Sequence, residues 1–258
     1  MRRVELTWGS AISIEIRDEQ DESMLDAVFD WFDTVDQLFS TWRDDSEIVR
    51  FARGALGYHD LDPDVVSVLE LAEALRVETN GAFDIRATAA LPEPHGPGWC
   101  EIDPSGVVKG WAVERAATML EARGVSDFWI DAGGDVVTRG SSPAGDPWRI
   151  GIQHPWRRGA VAAVVTIENG AVATSGRYER GDHVVCPRTG EPSRGLESVT
   201  VVGDDLARAD AHATAVMALG LDGLDWLAER DDIDAMVITD DEVVWTTPGF
   251  ARWRVDAH

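Results

Sequence analysis

The spacing of apolar residues predicts several helices. Between Ser23 and Phe39 they recur every three or four positions, which is the pattern of a helix with one buried face. Asp62-Pro63 is a typical helix start and Asn80-Gly81 a typical helix end, so a second long helix is predicted from position 63 to about 79. Other helices are predicted at 111–122, 206–219 and 224–230, with a short one near 46–51 that Ser46 caps.

Alternation of apolar and polar residues predicts strands in much of the remaining chain. The run from Ile12 to Ile16 is the clearest case, since residues two positions apart lie on one face of a strand. The predicted strands are 8–16, 128–131, a short one ending at 138, 148–152, 161–167, 171–174, 184–185, 197–202, 235–238 and 242–245. This mixture predicts an α+β fold. One domain over residues 1–258 accounts for it, and two closely joined lobes would also fit.

The charge of the chain limits the classes of partner that it can bind. The formal net charge is −24, and an acidic surface repels nucleic-acid backbones and anionic membranes. A locally basic pocket for a phosphate ligand remains compatible with this charge. The chain has one lysine, Lys109, against 22 arginines. Either that position needs a compact ammonium group, or the lysine survives by chance.

The cysteines and the start of the chain bear on its location. Cys100 and Cys186 have no metal-ligand spacing and do not define a disulfide. The first residues show no apolar signal core, and no run reaches the roughly 18 apolar residues of a membrane span. We therefore expect a cytoplasmic protein, or an exported one if a leader has been removed.

Asp210 and Thr214 form a candidate metal pair. They lie four residues apart on a predicted helix and so share a face. Both offer hard oxygen ligands, which suit magnesium. The alternative is an aspartate placed in the first turn by the helix dipole and a threonine facing solvent.

Three glycine-containing segments are candidates for contacting an anion or a ligand. Thr174-Ser175-Gly176 follows a strand and offers hydroxyls and N–H groups. Gly133-Gly134 permits a tight turn or a close approach by a ligand. Lys109-Gly110 lies at the predicted N-terminal end of a helix, where an anion would also be favoured. An ordinary turn, or a solvated lysine, is the alternative in each case.

His183 and Trp42 are single candidates. A histidine after Gly-Asp could act as a general base, although lone histidines are more often structural. Trp42 stands among polar residues at a helix end, where an aromatic ring could stack on a planar heterocycle or pack against a loop.

The order of these segments carries more information than any one of them. The series comprises Phe39-Ser-Thr-Trp-Arg-Asp-Asp-Ser46-Glu, Gly81-Ala-Phe-Asp84, Lys109-Gly-Trp-Ala-Val-Glu114, Gly133-Gly-Asp135, Ala173-Thr-Ser-Gly-Arg-Tyr178, His183-Val-Val-Cys-Pro187-Arg-Thr-Gly190-Glu-Pro192 and Ala209-Asp210-Ala-His-Ala-Thr214. Together they resemble the ApbE-like FAD:protein FMN transferases, from about Trp8 to the C-terminus. The resemblance implies an ApbE-like, T-fold-related fold of largely antiparallel sheets with packed helices.

The resemblance also implies an activity. Such enzymes use magnesium and FAD to transfer FMN to a threonine or serine hydroxyl of an acceptor protein, with release of AMP. Hydrolysis of FAD to FMN and AMP, or FAD binding without turnover, are the alternatives.

The resemblance assigns roles to residues of this chain. Asp210, Thr214 and the backbone carbonyl of Val108 would bind magnesium. His183 would deprotonate the acceptor hydroxyl. The FAD site would be lined by Trp42, Asp84, Lys109, Gly133, Gly134, Asp135, Ser175, Gly176 and Arg177.

Some positions depart from the family pattern. Cys186 stands where an aspartate is usual, and Glu114 replaces an aspartate. Arg86 interrupts the usual Phe-Asp-x-Thr, and the segment 92–98 is shortened. These changes put the geometry around His183 and the covering of FAD in question.

Overall fold

The protein is built on an eight-stranded antiparallel sheet. The computed structural model describes residues 1–17, 22–87, 100–180 and 184–255. The strands are β1 (Arg2–Thr7), β2 (Ser10–Ile16), β3 (Phe128–Ala132), β4 (Asp135–Arg139), β5 (Trp148–Gln153), β6 (Val161–Ile167), β7 (Gly170–Gly176), β8 (Leu196–Gly203), β9 (Asp234–Thr239) and β10 (Val244–Thr246). The large sheet has the order β1-β2-β3-β4-β7-β8-β9-β10, and β5 pairs with β6 in a separate hairpin. All of these pairings are antiparallel.

Helices cover one face of the large sheet. They are α1 (Ser23–Phe39), α2 (Glu47–Ala52), α3 (Pro63–Glu78), α4 (Ser105–Glu121), α5 (Arg177–Arg180), α6 (Leu206–Leu219) and α7 (Asp222–Ala228). Short 3-10 turns lie at Tyr58–Asp60 and Pro248–Arg252. Among the described helices, none has the length and apolar character needed to cross a membrane.

Alternation along the central strands divides the core between two sides of the sheet. On β7, Ala171 and Ala173 join the large apolar cluster beneath the helices, whereas Val172 joins a smaller cluster. The smaller cluster is closed by the β5–β6 hairpin and by Phe250. Because successive side chains point to opposite faces, one strand supplies both clusters.

The α+β prediction and the antiparallel sheet are confirmed. The bounds predicted for α1, β6 and α6 match those observed. The caps also match, since Ser46 Oγ accepts a hydrogen bond from Val49 N–H and Asp62 caps the start of α3.

Two predictions of secondary structure are wrong. Helix α4 begins at Ser105, six residues before the predicted start at 111, and the N–H of Ser105 donates to Asp103 Oδ1 in the turn that precedes the helix. Positions 184–185 do not continue the sheet, and Val185 forms only an isolated bridge with Pro192.

Gly110 explains why a glycine stands within α4. A Cβ atom at this position would lie 2.5 Å from the carbonyl oxygen of Leu206 and 2.8 Å from Cα of Ala207. Glycine lowers the helix propensity of α4 at this position, but it allows α4 and α6 to pack closely together. This contact sets the position of α6, which carries the candidate metal pair.

We predict that Gly110→Ala destabilises the protein by about 1–3 kcal/mol, because the added methyl group forces backbone apart. Gly203→Ala is the matched control, since a Cβ there meets nothing within 4 Å. Its effect should stay within about 0.5 kcal/mol. Urea unfolding of both variants measures the difference, and equal stabilities would contradict the packing argument.

Candidate active site

A cleft of 1730 Å³ opens between the helices and the ends of the central strands. Its lining comes from the C-terminal part of α1, the start of α4, the ends of β3 and β7, and one face of α6. Of the predicted site residues, the lining includes Trp42, Asp84, Val108, Lys109, Gly133, Ser175, Gly176, Asp210 and Thr214. Most of the residues singled out from sequence are therefore brought to one place.

Helix α6 presents the candidate metal pair to the cleft. Asp210, Thr214 and Ala218 line it at intervals of four residues. Asp210 is 5% exposed, and its Oδ2 accepts a hydrogen bond from the N–H of Gly110 at 3.3 Å. The alternative of a first-turn aspartate beside a solvent-facing threonine is wrong. Asp210 is the fifth residue of the helix, and Thr214 lines the cleft beside Ser175, with 3.3 Å between their hydroxyl oxygens.

The start of α4 faces this pair. A Cβ atom at Gly106 would lie 3.3 Å from Thr214 Oγ1, so the Gly106 backbone closely approaches the threonine. Val108, whose carbonyl is the predicted third ligand, lines the same cleft. Sequence reasoning missed Gly106 because it placed the helix start too late. The residue is recognisable only once α4 is known to begin at Ser105.

The donor set fits a magnesium ion. The described residues contain no cluster of three or more His, Cys, Asp or Glu side chains that could hold a metal alone. A buried carboxylate beside hydroxyl groups instead suits a hard cation that takes further oxygen ligands from a bound phosphate.

Lys109 is anchored by a buried carboxylate. Its Nζ lies 2.6 Å from Asp135 Oδ2, and Asp135 is 1% exposed. Asp135 Oδ1 also accepts the N–H of Thr174 at 2.9 Å. Lys109 lies in the second turn of α4, so its predicted location at the helix N-terminus is wrong. Asp135 lies behind the cleft lining and orients the lysine within it.

The two glycines before Asp135 form the turn between β3 and β4. Gly133 lines the cleft with φ of 64°, and Gly134, outside the lining, has φ of 97°. The N–H of Gly134 donates to Asp131 Oδ1 at 2.7 Å. Burial raises the pKa of Asp131 above its ordinary value despite this hydrogen bond. The segment therefore combines a tight turn with a ligand-accessible backbone at Gly133.

The end of β7 supplies a small-residue floor. Ser175 and Gly176 line the cleft, and a Cβ at Gly176 would lie 2.4 Å from the ring of Tyr178. Tyr178, which sequence analysis did not assign, also lines the cleft, with its ring close to the Gly176 backbone. Arg177 begins α5 and is not among the described residues of the lining.

Aromatic groups border the opening. Trp42 is 74% exposed, so its ring is available to a ligand. Trp156 and Arg158, from the loop after β5, border the same cleft and were missed because they belong to no predicted motif. Asp84 lines the cleft, and its Oδ1 accepts the N–H of Arg86 at 2.9 Å. The Arg86 side chain is exposed and is not among the residues that line the cleft.

Comparison with known proteins decides the family. A model described as the ApbE family matches residues 8–92 and 95–237, which is most of the chain. The chain belongs to the ApbE family.

Curated relatives are named FAD:protein FMN transferase. A protein of Klebsiella pneumoniae is 28% identical over 86% of this chain and 79% of its own length. One from Rhodobacter capsulatus is 32% identical over 79% of this chain, and one from Escherichia coli K12 is 34% identical over 60% of it. The matched regions cover 40% and 48% of those two relatives, respectively.

Solved structures share the fold. The flavin transferase ApbE from Vibrio cholerae has a TM-score of 0.83 at 24% identity, with 98% of each chain covered. The ApbE protein of Thermotoga maritima has a TM-score of 0.85 at 23% identity, with 99% of each chain covered. At these identities the similarity shows the architecture of the chain.

Within the ApbE family, Glu114 is a departure with a structural role. Its Oε2 accepts the N–H of Leu206, the first residue of α6, at 3.1 Å, and its other oxygen pairs with Arg139. Burial raises the pKa of Glu114, although the Arg139 guanidinium opposes that shift. The glutamate thus joins α4 to the start of the helix that carries Asp210.

The segment around the candidate base is described only in part. His183 lies outside the described residues, and its role stays a prediction. Val184, Val185 and Pro187 line the cleft, and Cys186 is buried. Burial alone would raise the pKa of the Cys186 thiol, but hydrogen bonds from Arg188 and Thr189 bring that pKa below its ordinary value. Ionisation would place negative charge where the family pattern has an aspartate.

We predict that Cys186 is alkylated at lower pH than Cys100. Burial raises the pKa of the Cys100 thiol, so the two buried cysteines differ in thiolate content. Iodoacetamide labelling across the neutral and alkaline range, followed by peptide mass spectrometry, measures both sites in one sample. Equal labelling profiles, or earlier labelling of Cys100, would contradict the assigned shifts.

Proposed function

We propose that this chain is a magnesium-dependent FAD:protein FMN transferase, which transfers FMN from FAD to a threonine or serine hydroxyl of an acceptor protein and releases AMP. The observation that carries the proposal is the meeting of Asp210, Thr214 and Lys109 at one cleft in a chain of the ApbE family. The names of the curated relatives support the same activity.

The cleft offers different chemistry to the parts of FAD. The exposed ring of Trp42 gives a flat surface for the isoalloxazine. Ser175 and the backbone at Gly133 and Gly176 offer hydrogen-bonding groups for the phosphates. The ammonium of Lys109 supplies positive charge, and its pairing with Asp135 keeps it in place. Together these residues would hold the pyrophosphate near α6.

Asp210 and Thr214 would hold the magnesium ion, with a backbone carbonyl from α4, predicted as that of Val108, as a further ligand. Bound there, the ion would neutralise charge on the pyrophosphate as AMP leaves. The neighbouring Ser175 hydroxyl and the Gly110 N–H keep the two side chains directed at the cleft.

The reaction requires one bond to form and one to break. The oxygen of the acceptor hydroxyl forms a bond to the phosphorus of the FMN half. The bond from that phosphorus to the bridging oxygen breaks, and AMP departs with the oxygen. The hydroxyl proton passes to a base, for which His183 is the candidate from sequence. Phosphoryl transfer depends mainly on positioning and charge, which this cleft is suited to supply.

We predict that incubation with FAD, magnesium and an acceptor from the same genome gives an FMN adduct on the acceptor and free AMP. Asp210→Asn should reduce the rate about 100-fold or more, because the ligand charge is lost. The fold should persist, since the amide oxygen can still accept the Gly110 N–H. Intact-protein mass spectrometry and nucleotide chromatography measure the two products.

Asp30→Asn is the control, because Asp30 is exposed on α1 and outside the cleft lining. Free FMN and AMP without an adduct on any acceptor would replace the transferase with an FAD hydrolase. FAD that binds and remains intact would indicate a flavin-binding protein without turnover.

A further inference from the structure

Glu78 is the last residue of α3, and its carboxylate joins three parts of the molecule. Oε2 lies 2.6 Å from Arg208 Nη2, while Oε1 lies 2.8 Å from His212 Nε2 and 3.2 Å from Arg230 Nη2. Arg208 and His212 belong to α6, and Arg230 follows α7. We call Glu78, Arg208, His212 and Arg230 the Glu78 cluster. It lies outside the cleft lining.

The groups in the Glu78 cluster complement one another. Burial alone would raise the pKa of Glu78, but hydrogen bonds from His212 and Arg208 bring that pKa below its ordinary value. The Nε2 of His212 lies 2.8 Å from the same carboxylate, which can accept its N–H. The guanidinium of Arg230 also lies over the ring of Trp226, 4.6 Å from its centroid. A carboxylate with three donors holds its neighbours in a defined geometry.

Helix α6 therefore has two polar sides with different tasks. Asp210 and Thr214 face the cleft, whereas Arg208 and His212 face Glu78. Because these residues alternate along one rigid helix, a rotation of α6 that displaced the second pair would displace the first.

Glu78 also begins the segment that forms another wall of the cleft. The next residue, Thr79, is buried, and its Oγ1 accepts the N–H of Phe83 at 3.0 Å. Phe83 and Asp84 line the cleft. The Phe83 ring lies against Gly106, since a Cβ there would be 3.2 Å from it. The wall formed by 79–87 thus directly follows Glu78, the residue that anchors α6.

We propose that Glu78 is a positioning residue that sets the spacing between the cleft face of α6 and the 79–87 wall. The expected effect of Glu78 on FAD binding rests on the proposed function. The coupling between α6 and the 79–87 wall does not depend on that function. Glu78 is not part of the cleft lining, and it acts through α6 and Thr79. The known departures from the family pattern do not involve it.

The test compares Glu78→Gln with Glu70→Gln. Glu70 lies on the same helix and is exposed, and its Oε1 accepts a hydrogen bond from the hydroxyl of Tyr58 at 3.4 Å. Two measurements are made on the full chain: amide hydrogen exchange without ligand, and FAD affinity by flavin fluorescence with and without Mg²⁺. Circular dichroism confirms that both variants are folded at the working temperature.

Glu78→Gln should accelerate exchange in 79–87 and in α6 by about ten-fold or more, with α1 unchanged. It should weaken Mg²⁺-dependent FAD binding by about ten-fold or more, as loss of a supporting partner around a metal site does. Glu70→Gln should change neither. Exchange that rises equally throughout the chain, or stays unchanged in both segments, would overturn the proposal.

Arg208→Gln is a milder second variant, because Arg208 is partly exposed and leaves Glu78 with two partners. It should accelerate exchange in the same two segments, and its effect should not add to that of Glu78→Gln. Additive effects would contradict a shared cluster. If the unaltered protein fails to bind FAD, the proposed function fails, while the exchange pattern still decides whether the coupling exists.

Discussion

The close approach of α4 and α6 is the constraint on which the rest of the cleft depends. At Gly110 there is no room for a side chain, and the same residue donates its N–H to Asp210. Glu114, one turn later on α4, holds the first residue of α6. The packing of two helices and the orientation of the candidate metal ligand are therefore one structural feature. A shift in either helix would also move Lys109 relative to Thr214.

Several acidic side chains outside the cleft lining hold the elements that line it in place. Asp135 fixes Lys109, Glu114 fixes the start of α6, and Glu78 fixes its outer side. Asp135 is buried, and Glu114 and Glu78 are half-buried. Each carboxylate is satisfied by cations or N–H groups, as removal of charge from water requires. Part of the large negative charge thus has a structural use. Lys109 brings an ammonium group to this surface, which suits a pyrophosphate ligand.

Much of the architecture could be predicted from sequence because its signals are local. The spacing in α1, the caps at Ser46 and Asp62, and the alternation in β2 each depend on neighbouring residues. The start of α4 could not be predicted in this way, since its glycines make the segment resemble a loop. Glycines stand there because the α4 backbone closely approaches α6 and its Thr214, which are about 100 residues away in sequence.

The candidate site likewise contains some residues that local sequence could predict and others that it could not. Asp210 and Thr214 both line the cleft, as their four-residue spacing on one helix predicted. Asp135 was expected to line the FAD site but lies behind Lys109, because two interactions draw its carboxylate inward. Trp156 and Arg158 depend on how the β5–β6 hairpin packs on the sheet, which no local pattern encodes. Tertiary packing therefore decided the parts that sequence analysis missed.

The most direct test is the location of a metal in a crystal grown with FAD and Mn²⁺, which shares the preference of Mg²⁺ for oxygen ligands. Anomalous scattering should give a peak between the side chains of Asp210 and Thr214, next to the FAD pyrophosphate. FAD bound in the cleft without a metal at this pair, or a metal held by other residues, would contradict the account.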